Sequence, residues 1–161
     1  MPIADSGVAG DRRKVSTYHL DDLDVNPGEL GPEFVYTALP PRIRADELVR
    51  SYFSSVHRCF PTLDHQDFLQ KYEEVYAIED PASYSRRFLT CLNLVFAASA
   101  YREFMNGMYS NQYWDHRAFF LRARMLAALD GGVMFKIFNL EDVQNAALAA
   151  VYLFTCKQTN R

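Results

Sequence analysis

The stretch from Leu48 to Tyr72, LVRSYFSSVHRCFPTLDHQDFLQKY, decides how the rest of the chain is read. Leu48, Val49, Tyr52, Phe53 and Val56 recur at steps of three and four, which lines one face of a helix. Phe60-Pro61 stops that helix, because proline lacks an amide hydrogen and biases the residue before it away from helical dihedrals. Asp64 is placed to cap a second helix, with Asp67 three positions on as an aspartate variant of the capping box. Phe68, Leu69 and Tyr72 form the apolar stripe of that helix. The reading is therefore two amphipathic helices hinged at an aromatic-proline elbow, which is expected to set the angle between them.

Working outward from the elbow, residues 1–41 are rich in Gly, Pro, Asp and Ser, show no sustained period and read as a flexible, disordered acidic linker. Within it, DRRK at 11–14 reads as a solvated charge run, and the apolar cluster Phe34, Val35, Tyr36 and Leu39 either lies against the domain or stays loose. Pro40-Pro41 marks the boundary, and Asp46 is expected to begin or cap the first helix. Beyond the elbow, the second helix ends near Tyr76, before Asp80-Pro81. A third helix over 84–104 is apolar nearly all round, so it must be covered on several sides and is expected to be central.

Met105 to Ser110 reads as a connection around Gly107. A fourth helix over 111–129 carries Trp114, Ala118, Leu121, Met125, Ala128 and Leu129 on one side and Arg117, Arg122 and Arg124 elsewhere, and ends at Gly131-Gly132. The last helix is capped by Asn139 with Asp142 three positions later, and its Val143, Ala146, Ala147, Ala150, Val151 and Phe154 include small residues suited to close helix approach. No strand signal competes. The expected fold is all-α: about five amphipathic helices in an irregular bundle over residues 42–161.

Composition narrows the function. A chain of 161 residues with 49% hydrophobic content, including 12 Phe and 10 Tyr, is large enough for one packed domain. A net charge of −3 gives no global attraction to nucleic acid or to an anionic membrane. Cys59, Cys91 and Cys156 are scattered with no C-x-x-C pair, which suits reduced thiols and leaves no zinc cluster on this chain. The apolar run from Ala146 to Phe154 is under half of the roughly 20 residues a membrane span needs.

The segment around the elbow resembles the opening of the fungal-specific transcription factor domain, the middle homology region of zinc binuclear cluster regulators. The resemblance is carried by Tyr52, Phe53, His57, Phe60, Pro61, Asp64, Phe68, Leu69 and Tyr72. Arg58 departs from it, since the family often has proline after the histidine. Further along, Ala123-Arg124, Asn139, Val143, Gln144, the run Ala146 to Leu153, and Thr159-Asn160-Arg161 are similar to the family's later pattern. The likeness covers 44–161 and implies a nuclear regulator that works through intramolecular or protein–protein contacts. It also implies further helices and a cysteine-rich DNA-binding module that this chain does not carry, so the chain is expected to be the N-terminal part of such a domain. It would reach DNA only through the absent module. A stand-alone helical adaptor is the runner-up, and a small helical enzyme is a third reading from another class.

His57, Cys59, Asp64, His65 and Asp67 crowd potential metal ligands into one segment, but the paired spacing of zinc sites is missing and the aspartates serve better as caps. His57 reads as a satisfied residue at the elbow and His65 as a first-turn surface residue. Cys91 with His116 or His57 would draw a nucleophile and base, yet Cys91 lies in the most apolar helix, where burial makes a thiol inert. Arg86, Arg87, Arg117, Arg122 and Arg124 would make a basic patch, but Glu103 and Asp115 dilute them, and a solvated face is the preferred reading. Tyr101, Phe104, Tyr109, Tyr113, Trp114, Phe119 and Phe120 would line an effector pocket, with plain core as the alternative. The sequence thus assigns no catalytic, cofactor-binding or metal-binding residue and no cofactor. Its partners are expected to be proteins or further parts of the same factor, with no membrane, and an exposed patch at Val151, Leu153 and Phe154 is expected to drive self-association.

Overall fold

The computed structural model describes residues 34–108, 114–129 and 139–158. The expected linker up to residue 33, Tyr109, Tyr113, the expected helix stop at Gly131-Gly132 and the expected turn at Thr159-Asn160-Arg161 lie outside the described residues. The elements in order are α1 (Arg42–Ser54), a single turn α2 (Val56–Cys59), α3 (His65–Ala77), a short 3-10 turn (Pro81–Ser83), α4 (Arg86–Met105), α5 (His116–Leu129) and α6 (Leu140–Gln158). Among the described residues there is no strand, as the absence of period-two alternation predicts. The expected all-α fold with five long helices is observed.

Helix starts follow side-chain chemistry. Asp64 Oδ1 accepts from the Asp67 amide at 2.8 Å, and Asp67 itself pairs with Lys71 Nζ at 3.1 Å one turn on. At α6 the capping box is complete: the Asp142 amide donates to Asn139 Oδ1 at 3.0 Å, and the Asn139 amide donates to Asp142 Oδ2 at 3.2 Å. Asp115 caps α5 by accepting from the Ala118 amide at 2.7 Å. Helix α4 stops at Gly107, whose φ of 75° is the left-handed conformation glycine adopts without cost. Its amide donates to Phe104 O and the Met108 amide to Glu103 O, closing a Schellman turn.

Two expectations at the N-terminal end are corrected. Asp46 does not cap α1, which begins directly after Pro41. Its carboxylate instead takes Arg42 Nε at 2.9 Å and the Tyr72 hydroxyl at 2.6 Å, tying α1 to α3. The elbow breaks earlier than the proline, at Ser55, and α2 is a separate turn closed by the Phe60 amide on Val56 O. Phe60 and Pro61 are themselves exposed. The angle between α1 and α3 is held by Phe53, which packs edge-on against Phe68 at 5.3 Å, and by the Asp46–Tyr72 bond.

Helix α4 is central, as its all-round apolar pattern predicts. From Phe88 to Tyr101 every residue but Ala98 is buried, and α1, α5 and α6 all pack on it. Ser99 Oγ donates to Leu48 O at 2.8 Å, so α1 sits close over Ser99. Phe96 meets Phe119 of α5 at 5.2 Å, and Phe88 meets Phe68 of α3 at 5.5 Å. Burying each such side chain contributes about 1.5–3 kcal/mol.

On α5 the expected Ala118 and Leu121 are buried, together with His116, Phe119, Phe120, Arg122, Ala123 and Leu126, while the expected Ala128 and Leu129 face solvent. This reverses the expected assignment of Arg122 to an outer face. The guanidinium lies 4.6 Å from the Phe34 ring and 4.7 Å from Trp114, and Nε donates to Val35 O at 3.2 Å. An arginine stacked between aromatic faces is favourable when desolvated. It also resolves the open question about residues 34–39: they lie against the bundle, with Leu39 packed on the core.

Candidate functional site: a cleft between α4, α5 and α6

A cleft of about 290 Å³ opens between α4, α5 and α6. Its floor and walls are apolar: Leu94 from α4, Phe120, Ala123 and Ala127 from α5, and Ala146 and Ala149 from α6. The alanines are what make it a cleft. Larger side chains at those positions would fill the space where three helices splay apart.

The rim is cationic. Arg86 and Arg87 come from the first turn of α4 and Arg124 from α5, with Asp142 the one lining carboxylate among the described residues. Arg86 donates to Leu129 O at 3.2 Å, Arg87 Nε pairs with Asp142 at 3.1 Å, and Asn145 Nδ2 donates to Arg87 O at 3.0 Å. The rim is thus held by bonds from α4 to both neighbouring helices. Asn145 Oδ1 is buried with no hydrogen-bond partner, and Thr90 is buried with its hydroxyl on Arg86 O.

Only part of the expected site material is here. Of the five arginines, Arg86, Arg87 and Arg124 share this cleft, Arg117 is exposed beside Asp115 at 3.4 Å, and Arg122 is interior. Of the aromatic set, Phe120 alone among the described residues lines the cleft. Tyr101, Phe104, Trp114 and Phe119 belong to aromatic contacts elsewhere. Tyr101 and Phe104 pack on His116 at 5.0 and 5.2 Å, and Trp114 lies 6.0 Å from Phe119. The cleft itself escaped the sequence reading, since its signal is two alanine pairs, Ala123 with Ala127 and Ala146 with Ala149, rather than aromatic residues.

The other candidates resolve as packing. His57 rests on Phe53 at 4.9 Å with Nδ1 buried and unpartnered, so it is an aromatic packing residue rather than a hydrogen-bonded one. Burial first, then the neighbouring His65, holds its pKa below the ordinary value. His65 is exposed, and Cys59 is an exposed free thiol. Among the described residues no three His, Cys, Asp or Glu side chains are grouped to hold a metal ion. Cys91 is 7% exposed, and burial pushes its thiol up to about 12, which keeps it protonated and unreactive at neutral pH. His116 is buried with Nδ1 2.8 Å from the Tyr152 hydroxyl. Desolvation brings its pKa down to about 4, with Asp115 opposing and Arg117 assisting. It is a neutral core histidine joining α5 to α6.

The outer face of α6 is the second feature. Leu140, Val143 and Phe154 are 71%, 60% and 57% exposed, and Ala146 and Ala150 are exposed between them. Leu148, Tyr152 and Cys156 face inward instead. The expected patch at Val151, Leu153 and Phe154 is therefore shifted: Phe154 is exposed, while Val151 and Leu153 are half-buried. Among the described residues no helix is long and apolar enough to cross a membrane.

Over 119 residues the chain is 35% identical to the sorbicillinoid biosynthetic cluster transcription factor 2 of Penicillium rubens, an alignment that takes in 73% of this chain. The chain spans 17% of the length of that relative. No family profile matches the chain, and no solved structure matches it.

Proposed function

We propose that this chain is a regulatory segment of a fungal transcription factor, the N-terminal part of its middle homology region, and that it acts in the nucleus through contacts with other parts of the factor or with protein partners rather than through chemistry. The observation that carries this reading is the 35% identity over 119 residues to a cluster transcription factor. The aromatic-proline elbow at Tyr52 to Tyr72 and the capped α6 supply the family-like pattern, and the all-helical architecture is compatible with it. The exposed stripe Val143, Ala150 and Phe154 gives such contacts an apolar face. DNA would be reached through a separate module, since the net charge of −3 gives no global attraction to nucleic acid and Arg122 sits inside the bundle.

The experiment is a fungal reporter assay. The chain is inserted between a heterologous DNA-binding module and an activation domain, and reporter output and nuclear fluorescence of a tagged copy are measured. The expected result is a nuclear protein whose inserted segment changes output several-fold, with Val143→Glu and Phe154→Glu restoring the output of the fusion without the segment. Unchanged output, or exclusion of the tagged chain from the nucleus, contradicts the proposal.

A further inference from the structure

Residues 34–41 form a non-helical strap ahead of α1, and the outer end of the strap is seated on α5 by one side chain. Arg122 is buried with its guanidinium 4.6 Å from the Phe34 ring, 4.7 Å from Trp114 and 5.8 Å from Phe119. Its Nε donates to Val35 O at 3.2 Å. Trp114 and Phe119 are aromatic walls supplied by the bundle itself, and Phe34 is the wall supplied by the strap. We propose that Arg122, Trp114 and Phe119 form a recognition notch for a non-helical peptide segment bearing an aromatic residue, filled in this chain by Phe34-Val35 and open to exchange with such a segment from a partner protein.

The strap is attached in a way that permits exchange. Its backbone reaches the bundle through Val35 O on Arg122 and through Pro40 O, which accepts from the Tyr76 hydroxyl at 2.9 Å, while the Ala38 amide turns back on Val35 O at 3.2 Å. Val35 and Tyr36 are 50% and 37% exposed, so Phe34 and Leu39 carry its apolar contact. A segment with little buried apolar surface and no helix of its own opens locally without unfolding its neighbours. Opening uncovers one face of the Arg122 guanidinium. That group is weakly hydrated and stacks on aromatic faces, so another ring answers it better than water or an aliphatic chain does. The carbonyl that takes Nε is a backbone feature any peptide supplies, which leaves the ring to set the choice of occupant. The notch stands on this geometry alone, independent of the transcriptional reading.

Trp114 is the single tryptophan of the chain, so its fluorescence reports on the notch directly. The probe is the peptide GPEFVYTAL, residues 31–39 of this sequence, titrated into the full wild-type chain and into full chains carrying Phe34→Ala or Phe34→Leu. The leucine variant keeps an apolar side chain, which separates loss of the ring from loss of packing. The expected result is a saturable change in Trp114 emission, with the peptide binding either variant about three- to thirtyfold more tightly than the wild type, the effect of losing one ring–cation contact in the tethered occupant. Peptides with Ala, Leu or Glu in place of that Phe are expected to bind the variants more weakly by a similar factor. Circular dichroism of both variants is expected to keep the wild-type helical signal. Equal affinity for wild-type and variant chains, no saturable binding to either variant at millimolar peptide, equal binding of the Leu or Glu peptide, or loss of helical signal in both variants overturns the proposal.

Discussion

Helices α4 and α6 look alike in sequence and end up in different circumstances. Both are long, both are apolar around most of their circumference, and both should need cover on several sides. Helix α4 has it, with α1, α5 and α6 packed on it and an almost unbroken buried run from Phe88 to Tyr101. Helix α6 is covered on one side, through Leu148, Tyr152 and Cys156, while Val143, Ala150 and Phe154 face outward. The difference teaches that an apolar pattern states how much cover a helix needs, and the surrounding elements determine how much it receives. Of the small residues of α6, Ala146 and Ala150 are exposed, Ala147 is half-buried and Ala149 packs on the core at the cleft wall.

The comparison breaks most visibly if equivalent truncations cost the same on both helices. Phe96→Ala removes a fully buried ring and is expected to cost about 3–5 kcal/mol in a urea melt, whereas Phe154→Ala should stay within about 0.5 kcal/mol. Similar losses at the two sites would show that α6 is covered as α4 is.

A smaller effect sharpens the contrast from the inner side of α6. His116, buried against Tyr152, has its pKa lowered by burial from 6.5 to about 4. The unfolded chain therefore takes up a proton between these values that the folded chain refuses. Stability from this site is full above about pH 6.5 and falls as pH drops toward 4, by up to roughly 3 kcal/mol. Unfolding free energies measured across that window should show the slope, and His116→Asn should flatten it. A wild-type profile flat between pH 6.5 and 4 would mean that the α5–α6 seam is open to water.

Legibility in the sequence tracked the same physics. The caps Asp64 and Asn139, the centrality of α4 and the order of the helices were readable because local side-chain chemistry and period set them. Arg122 was not, because charge argues for the surface and only its place in the stripe Phe119, Arg122, Ala123, Leu126 argues otherwise. Its cage includes Phe34, 88 residues away in sequence terms of neither helix nor motif, so no window on α5 reveals it. The cleft was equally hidden, since Ala123, Ala127, Ala146 and Ala149 signal good helix formers locally and a gap only once three helices are assembled. The break at Ser55 precedes the proline that seemed to cause it, and no residue type at that position announces it.

The central claim is that the outer face of α6 is a contact surface which the described helices leave uncovered. Light scattering of the purified chain over a concentration series tests it most directly. The account predicts a mass that rises with concentration, binding of a hydrophobic dye, and return to a monomer without dye binding in Val143→Glu with Phe154→Glu. A wild-type chain that stays monomeric at high concentration and binds no dye would contradict it.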